Sequence, residues 1–79
     1  MQFSLETFLP EVAQILEVPA HSLNENSDTS SVATWDSMRS MMLAMMVEGT
    51  YGISLTGAEM QRFTSIQNIV AILTDPNRA

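Results

Sequence analysis

The 79-residue chain contains no cysteine and no lysine. Without cysteine there is no disulfide framework, no thiolate metal site and no thiol of its own, so any thiol the protein uses must come from a prosthetic group. Three arginines against nine acids leave a net charge of −6. With no basic patch, nucleic acid and anionic membrane surfaces are excluded as partners, and proteins with basic surfaces are favoured. No apolar run is long enough to span a bilayer, and Met1 to Leu9 lacks the basic lead and apolar core of a signal peptide, which points to the cytoplasm. A glycine-rich phosphate loop is missing. Histidine occurs once, at His21, in a polar stretch with no second histidine to share a metal, and reads as a solvated loop residue. The acids are scattered and form no obvious acid–base pair. A Ser37–His21–Asp36 triad is unconvincing, because Asp36 and Ser37 are adjacent and nothing suggests an oxyanion site. The chain therefore reads as a non-enzyme with no metal site.

What is present is apolar periodicity. The hydrophobic fraction is 46%, enough for a core, although a domain this small buries only roughly 60% of its unfolded surface. Leu5, Phe8, Leu9, Val12, Ile15 and Leu16 share one helical face, which predicts a first helix over about 4–16. Ser4 is its expected N-cap, with Phe3 and Phe8 as a hydrophobic staple. Pro10 either kinks this helix or forces it to begin nearer Thr7, and Val18-Pro19 ends it. Residues 17–35 form a long polar loop with room for a short helical turn, anchored by Leu23, Val32 and Trp35. Asp36 is a good N-cap for a second helix over about 37–48, with Gly49 as its stop. Tyr51, Ile53 and Leu55 then read as an extended segment returning to the core. Thr56-Gly57-Ala58-Glu59 is a capping box for a short third helix over about 57–62. A second box, Thr64-Ser65-Ile66-Gln67, opens a last helix over about 65–73, ended by Asp75-Pro76. The expected architecture is one all-α domain, 1–79: a four-helix bundle with a long first loop and a short third helix. Its expected core is Phe8, Val12, Leu16, Leu23, Leu43, Met46, Val47, Ile53, Leu55, Phe63, Ile66, Ile69, Val70 and Leu73.

Trp35-Asp36-Ser37-Met38 carries the chemistry. The serine falls in the first turn of a helix, where unpaired N–H groups and partial positive charge favour a phosphate ester. No base is evident beside Ser37, so its activation has to come from another enzyme.

With these residues in place, the chain resembles the acyl carrier proteins over nearly its whole length. The family's Asp-Ser-Leu reads here as Asp36-Ser37-Met38. Leu16-Glu17-Val18 resembles its Leu-Gly-Val end of the first helix. Glu48 with Tyr51-Gly52-Ile53-Ser54-Leu55 resembles its Glu…Phe-Gly-Ile run, and Phe63-Thr64-Ser65-Ile66 its Ile-Thr-Thr-Val link. Trp before Asp-Ser looks like the variant found in specialised, stand-alone carriers. The resemblance implies an acyl-carrier-like bundle, with a 4'-phosphopantetheine arm on Ser37 placed there by a phosphopantetheinyl transferase using coenzyme A and magnesium. It implies cargo held as a thioester, with Asp36 orienting the transferase. It also implies acyl-loading and acyl-using enzymes that dock on the second helix and the loop before it; the chain is expected to be a monomer.

The second helix departs from the family's acidic pattern. Arg39 and Met42 stand where acids are usual, Gly49 and Thr50 where further acids are common, and Glu48 remains. The helix has more apolar surface than one core face needs, so Met38 and Met42 are expected to be exposed, while Met41 and Met45 fit either core or surface. Met38, Arg39, Met42, Met45 and Glu48 are thus the expected partner surface, with methionine contacts mattering more than charge. Two alternatives stay open: an aminoacyl or peptidyl carrier with the same arm, and a helical interaction module without one, for which Ser37 is only a cap.

Overall fold

In the computed structural model, which describes residues 3–77, four helices follow one another: α1 (Leu5–Leu16), α2 (Ser37–Tyr51), α3 (Gly57–Gln61) and α4 (Ile66–Leu73). The outermost residues of the expected 1–79 span, 1–2 and 78–79, lie outside the described residues. No strand occurs among the described residues; a single bridge joins Asp28 to Ser65. The all-α, acyl-carrier-like bundle expected from the sequence is the observed fold. No helix among the described residues is long and apolar enough to cross a membrane.

Helix α1 starts at Leu5 and runs through Pro10, so the proline does not delay its start. The Phe3–Phe8 staple forms, with ring centroids 5.4 Å apart, and Phe8, Val12, Ala13 and Leu16 are buried beneath it. Their burial offsets the hydrogen bond that Pro10 cannot donate. Ser4 holds the N-cap position without a side-chain bond; instead Thr7 Oγ1 donates to the Ser4 carbonyl at 3.1 Å. At the other end Glu17 takes the left-handed conformation, φ 58°, that closes the helix. This explains why glycine is the residue that suits the position.

The 17–35 connection is organised. Ala20–Ser22 form a 3₁₀ turn, and Leu23, Val32 and Trp35 are buried as expected. Asp28 Oδ1 accepts from the amides of Ser30 and Ser31 at 2.9 Å each. The Ile66 amide donates to the Ser27 carbonyl and the Thr29 amide to the Thr64 carbonyl, both at 3.0 Å. These bonds tie the loop to the head of α4, and Thr34 Oγ1 ties its end to the Leu16 carbonyl at 2.6 Å.

Helix α2 does not stop at Gly49. It continues to Tyr51 and closes on Gly52, the glycine with positive φ, 65°. A glycine inside a helix costs only about 1 kcal/mol, less than the gain from bringing Tyr51 to the aromatic cluster, 6.1 Å from Phe3 and 6.4 Å from Phe8 between centroids. Tyr51 is therefore helical rather than extended. The Thr56–Glu59 capping box forms as read, and α3 ends at Gln61. At α4 the cap is Ser65, accepting from the Asn68 amide at 3.0 Å, and not Thr64.

The core joins Leu43, Ala44 and Val47 of α2, Ile66, Ile69, Ile72 and Leu73 of α4, and Leu55 and Phe63 of the connections to the α1 face. Met46, Ile53 and Val70, expected in it, are only partly buried. Val70 and Met46 lie at the flank of their helices' inward arcs, whereas Ile72 and Ala44 point inward. Helix α4 has eight residues, too few to hold by itself. Its four buried side chains, each contributing about 1.5–3 kcal/mol, hold it in place.

Candidate functional site

The peptide segment leading into α2 is fixed from both sides. Trp35 is buried, its amide donates to the Val32 carbonyl at 3.0 Å, and its indole Nε1 donates to Ser40 Oγ at 2.9 Å. Asp36 caps the helix: its Oδ1 accepts from the Arg39 amide, and its carbonyl accepts from the Ser40 amide, each at 2.9 Å. Ser37 is thereby held as the first residue of the helix, exposed, with no hydrogen bond to its hydroxyl among the described residues. Helix geometry leaves the amides of Ser37 and Met38 without intrahelical acceptors, and the helix's partial positive end lies at this turn.

Beside Ser37 lies a cleft of about 290 Å³, lined by Ser37, Ser40, Met41, Met60, Gln61 and Thr64. It forms between α2 and the α3 segment that follows, and its lining is mainly apolar. Sequence reading did not mark Ser40, Met60 or Gln61, and marked Thr64 only as the opening of the last helix. Residues 40 and 60 are joined only by the tertiary fold, and the one available sequence signal was a methionine in a helix too short to bury it.

The other candidate residues fall into two groups. Met38, Met41, Met42 and Met45 are 72%, 63%, 43% and 64% exposed, so the expected exposure of Met38 and Met42 extends to Met41 and Met45. Arg39 and Glu48 are partly buried and engaged within the chain. Arg39 donates from Nη1 to the Ile15 carbonyl and from Nη2 to Glu17 Oε2, both at 2.6 Å. Glu48 Oε2 accepts from the Leu55 amide at 2.8 Å. His21 is exposed in the 3₁₀ turn, and no hydrogen bond or ion pair joins it to Ser37. Among the described residues no three or more His, Asp or Glu side chains gather as metal ligands do.

Chemically, the turn offers a free hydroxyl, a cationic helix end and an adjoining apolar hollow, and among the described residues no base is bonded to that hydroxyl. That set fits a phosphodiester-linked group added by another protein. No curated protein and no solved structure matches the chain. The family model described as the phosphopantetheine attachment site matches residues 6–73, a span that includes all of α2, α3 and α4 and all of α1 but its first residue, Leu5. Members of that family are carriers, not enzymes, and hold 4'-phosphopantetheine covalently on a serine. From the helical bundle and this match together, the chain belongs to the phosphopantetheine-attachment family of carrier proteins.

Proposed function

We propose that Ser37 is the serine that bears the arm, and that the chain is an acyl carrier serving a specialised biosynthetic pathway. The observation that carries this reading is the exposed Ser37 hydroxyl at the rim of the apolar cleft. A hollow bordered by Met41 and Met60 favours a hydrocarbon over a charged amino group, because an unpaired ammonium is costly to remove from water. Its volume of about 290 Å³ lies at the small end for ligand sites and suits a short chain. When attached, the arm supplies a terminal thiol that holds the acyl group as a thioester. The chain's own contribution is positional: Asp36 and Trp35 fix the turn, Ser37 offers its oxygen, and the helix end accommodates the phosphate. Asp36 lies exposed beside Ser37 and is the residue the transferase reads. The charge of −6 opposes self-association and favours a monomer.

Incubation with coenzyme A, magnesium and a broad-specificity phosphopantetheinyl transferase, followed by intact mass, tests the attachment. The native chain gains one phosphopantetheine and Ser37→Ala gains none; equal gain in both moves the site elsewhere. Cargo class is read by loading hexanoyl- and aminoacyl-pantetheine from their coenzyme A thioesters and following Trp35 fluorescence, because its indole bonds a cleft residue, Ser40. A shift with hexanoyl alone supports the acyl reading. A shift with the aminoacyl group alone supports an aminoacyl or peptidyl carrier instead.

A further inference from the structure

Ser40 follows Ser37 by one turn of α2. Side chains three apart on a helix are neighbours on one face, with Cβ atoms about 5–6 Å apart. Both serines line the same cleft. Ser40 is partly buried there, and its Oγ accepts the indole Nε1–H of Trp35 at 2.9 Å. Trp35 is 3% exposed, so the core fixes the donor that holds this oxygen.

The proton of Ser40 is a separate observation. A serine or threonine inside a helix can donate back to the carbonyl of the preceding turn. Thr74, at the end of α4, does so to the Val70 carbonyl at 2.7 Å. Ser40 does not. Among the described residues its hydroxyl donates to no group, and the Asp36 carbonyl one turn back accepts the Ser40 amide instead. Gln61 and Thr64 line the same cleft without bonding it. A hydroxyl has one proton and two lone pairs. With one lone pair taken by the indole, Ser40 keeps its proton for an acceptor arriving in the cleft.

We propose that Ser40 anchors the phosphate of the arm: its hydroxyl donates to a free phosphate oxygen of the ester on Ser37, while the Trp35 indole holds the Ser40 oxygen from behind. The proposal rests on Ser37 being the attachment serine. The phosphate is the part of the arm joined to the Ser37 oxygen itself, so it is the group brought nearest to Ser40. A phosphate ester lengthens the Ser37 side chain, and a charge-assisted O–H···O⁻ bond of about 2.5–2.7 Å closes the remaining gap between serines a turn apart. The bond from the indole polarises the Ser40 hydroxyl and strengthens its donation. Arg39, the adjacent cation, is engaged on Glu17 and the Ile15 carbonyl, so the anchor is a neutral hydroxyl. Trp35 is a positioning residue acting through Ser40. Anchored in this way, the arm leaves Ser37 toward Met41 and Met60 instead of toward solvent.

The test is NMR of the cargo-free holo chain, made with coenzyme A, magnesium and a broad-specificity transferase and checked by intact mass. Its phosphodiester gives a single phosphorus resonance, and Trp35, the one tryptophan, a single indole N–H resonance. In the folded holo chain the phosphorus resonance is displaced from its position in the same chain unfolded in urea. The indole resonance shifts between the apo and holo forms. Ser40→Ala, with folding checked by thermal melt, loses both effects, and Ser40→Thr, which keeps the hydroxyl, restores them. Cargo responses of Trp35 are then read against this holo baseline. The apo–holo comparison of the native chain needs no variant, so it decides the matter even where Ser40→Ala unfolds. A phosphorus displacement that survives in folded Ser40→Ala puts the phosphate on other donors and overturns the proposal. So does an indole resonance that does not respond to the arm. An arm present on Ser37 with neither resonance moved removes the anchor and leaves the attachment reading standing, whereas an intact mass showing no arm on Ser37 removes both.

Discussion

Arg39, in the first turn of α2, reaches back to the end of α1, where its guanidinium donates to Glu17 and to the Ile15 carbonyl, each at 2.6 Å. A cation is unfavourable at the positive end of its own helix and favourable beside the negative end of the neighbouring one. The residue therefore acts as a clasp between α1 and α2. It also holds in place the turn that carries Ser37.

Its two bonds differ in strength. Glu17 is 69% exposed, so the ion pair contributes less than about 1 kcal/mol, while the charged bond to the Ile15 carbonyl contributes about 1.5 kcal/mol or more. Arg39→Gln is expected to lower unfolding free energy by roughly 1–2 kcal/mol, and Glu17→Gln by less than half of that. Urea denaturation of both checks the order; equal losses contradict it.

Trp35 is buried with its indole N–H on Ser40 Oγ. Ser40→Ala leaves that donor without its partner, at a cost of about 1–3 kcal/mol. The same change alters Trp35 emission, because the indole loses its bond. A neutral effect on both melt and emission means that water replaces the hydroxyl.

The two glycines at the end of α2 behave oppositely. At Gly49, φ is not positive and the Cβ direction is open, so Gly49→Ala raises stability by about 0.5–1 kcal/mol. At Gly52, φ is 65°, and Gly52→Ala lowers stability by about 1 kcal/mol or more. Thermal melts of the pair decide whether Gly52 is the true helix stop. The same shift in both contradicts the assignment.

Burial, and secondarily the Glu11 carboxylate, push the Tyr51 phenol above its ordinary value. The folded chain thus keeps its proton where the unfolded chain loses it. The contribution is fully present below about pH 10, the unfolded value, and is lost as pH rises through the folded one. Melting temperature is expected to fall in that alkaline window, and Tyr51→Phe to flatten the fall. An identical alkaline slope in the variant removes Tyr51 as its source.

Local chemistry written in the sequence came through intact where it involved neighbours along the chain. The Phe3–Phe8 staple, the Asp36 cap, the Thr56–Glu59 box and the first-turn position of Ser37 are relations across three to five residues or fewer, and periodicity or capping rules reach that far. The end of α2 was misread for the same reason. Gly49 is the first glycine met along the helix, and only the packing of Tyr51 against Phe3 and Phe8 makes continuation to Gly52 the better choice.

The sequence by itself determined the helical class, the capped serine and the excess of methionine on one helix, because each depends on residue type at fixed spacing. Tertiary structure decided three things beyond it. It closed a cleft beside Ser37 from Met41 and Met60, side chains nineteen positions apart. It brought Arg39 to Glu17 and the Ile15 carbonyl, more than twenty positions away. It turned four methionines outward together by giving the opposite face of α2 to the core. The physical reason is common to all three: one helix has a single inward face, and which groups pair or stay exposed depends on what the other helices bring against it.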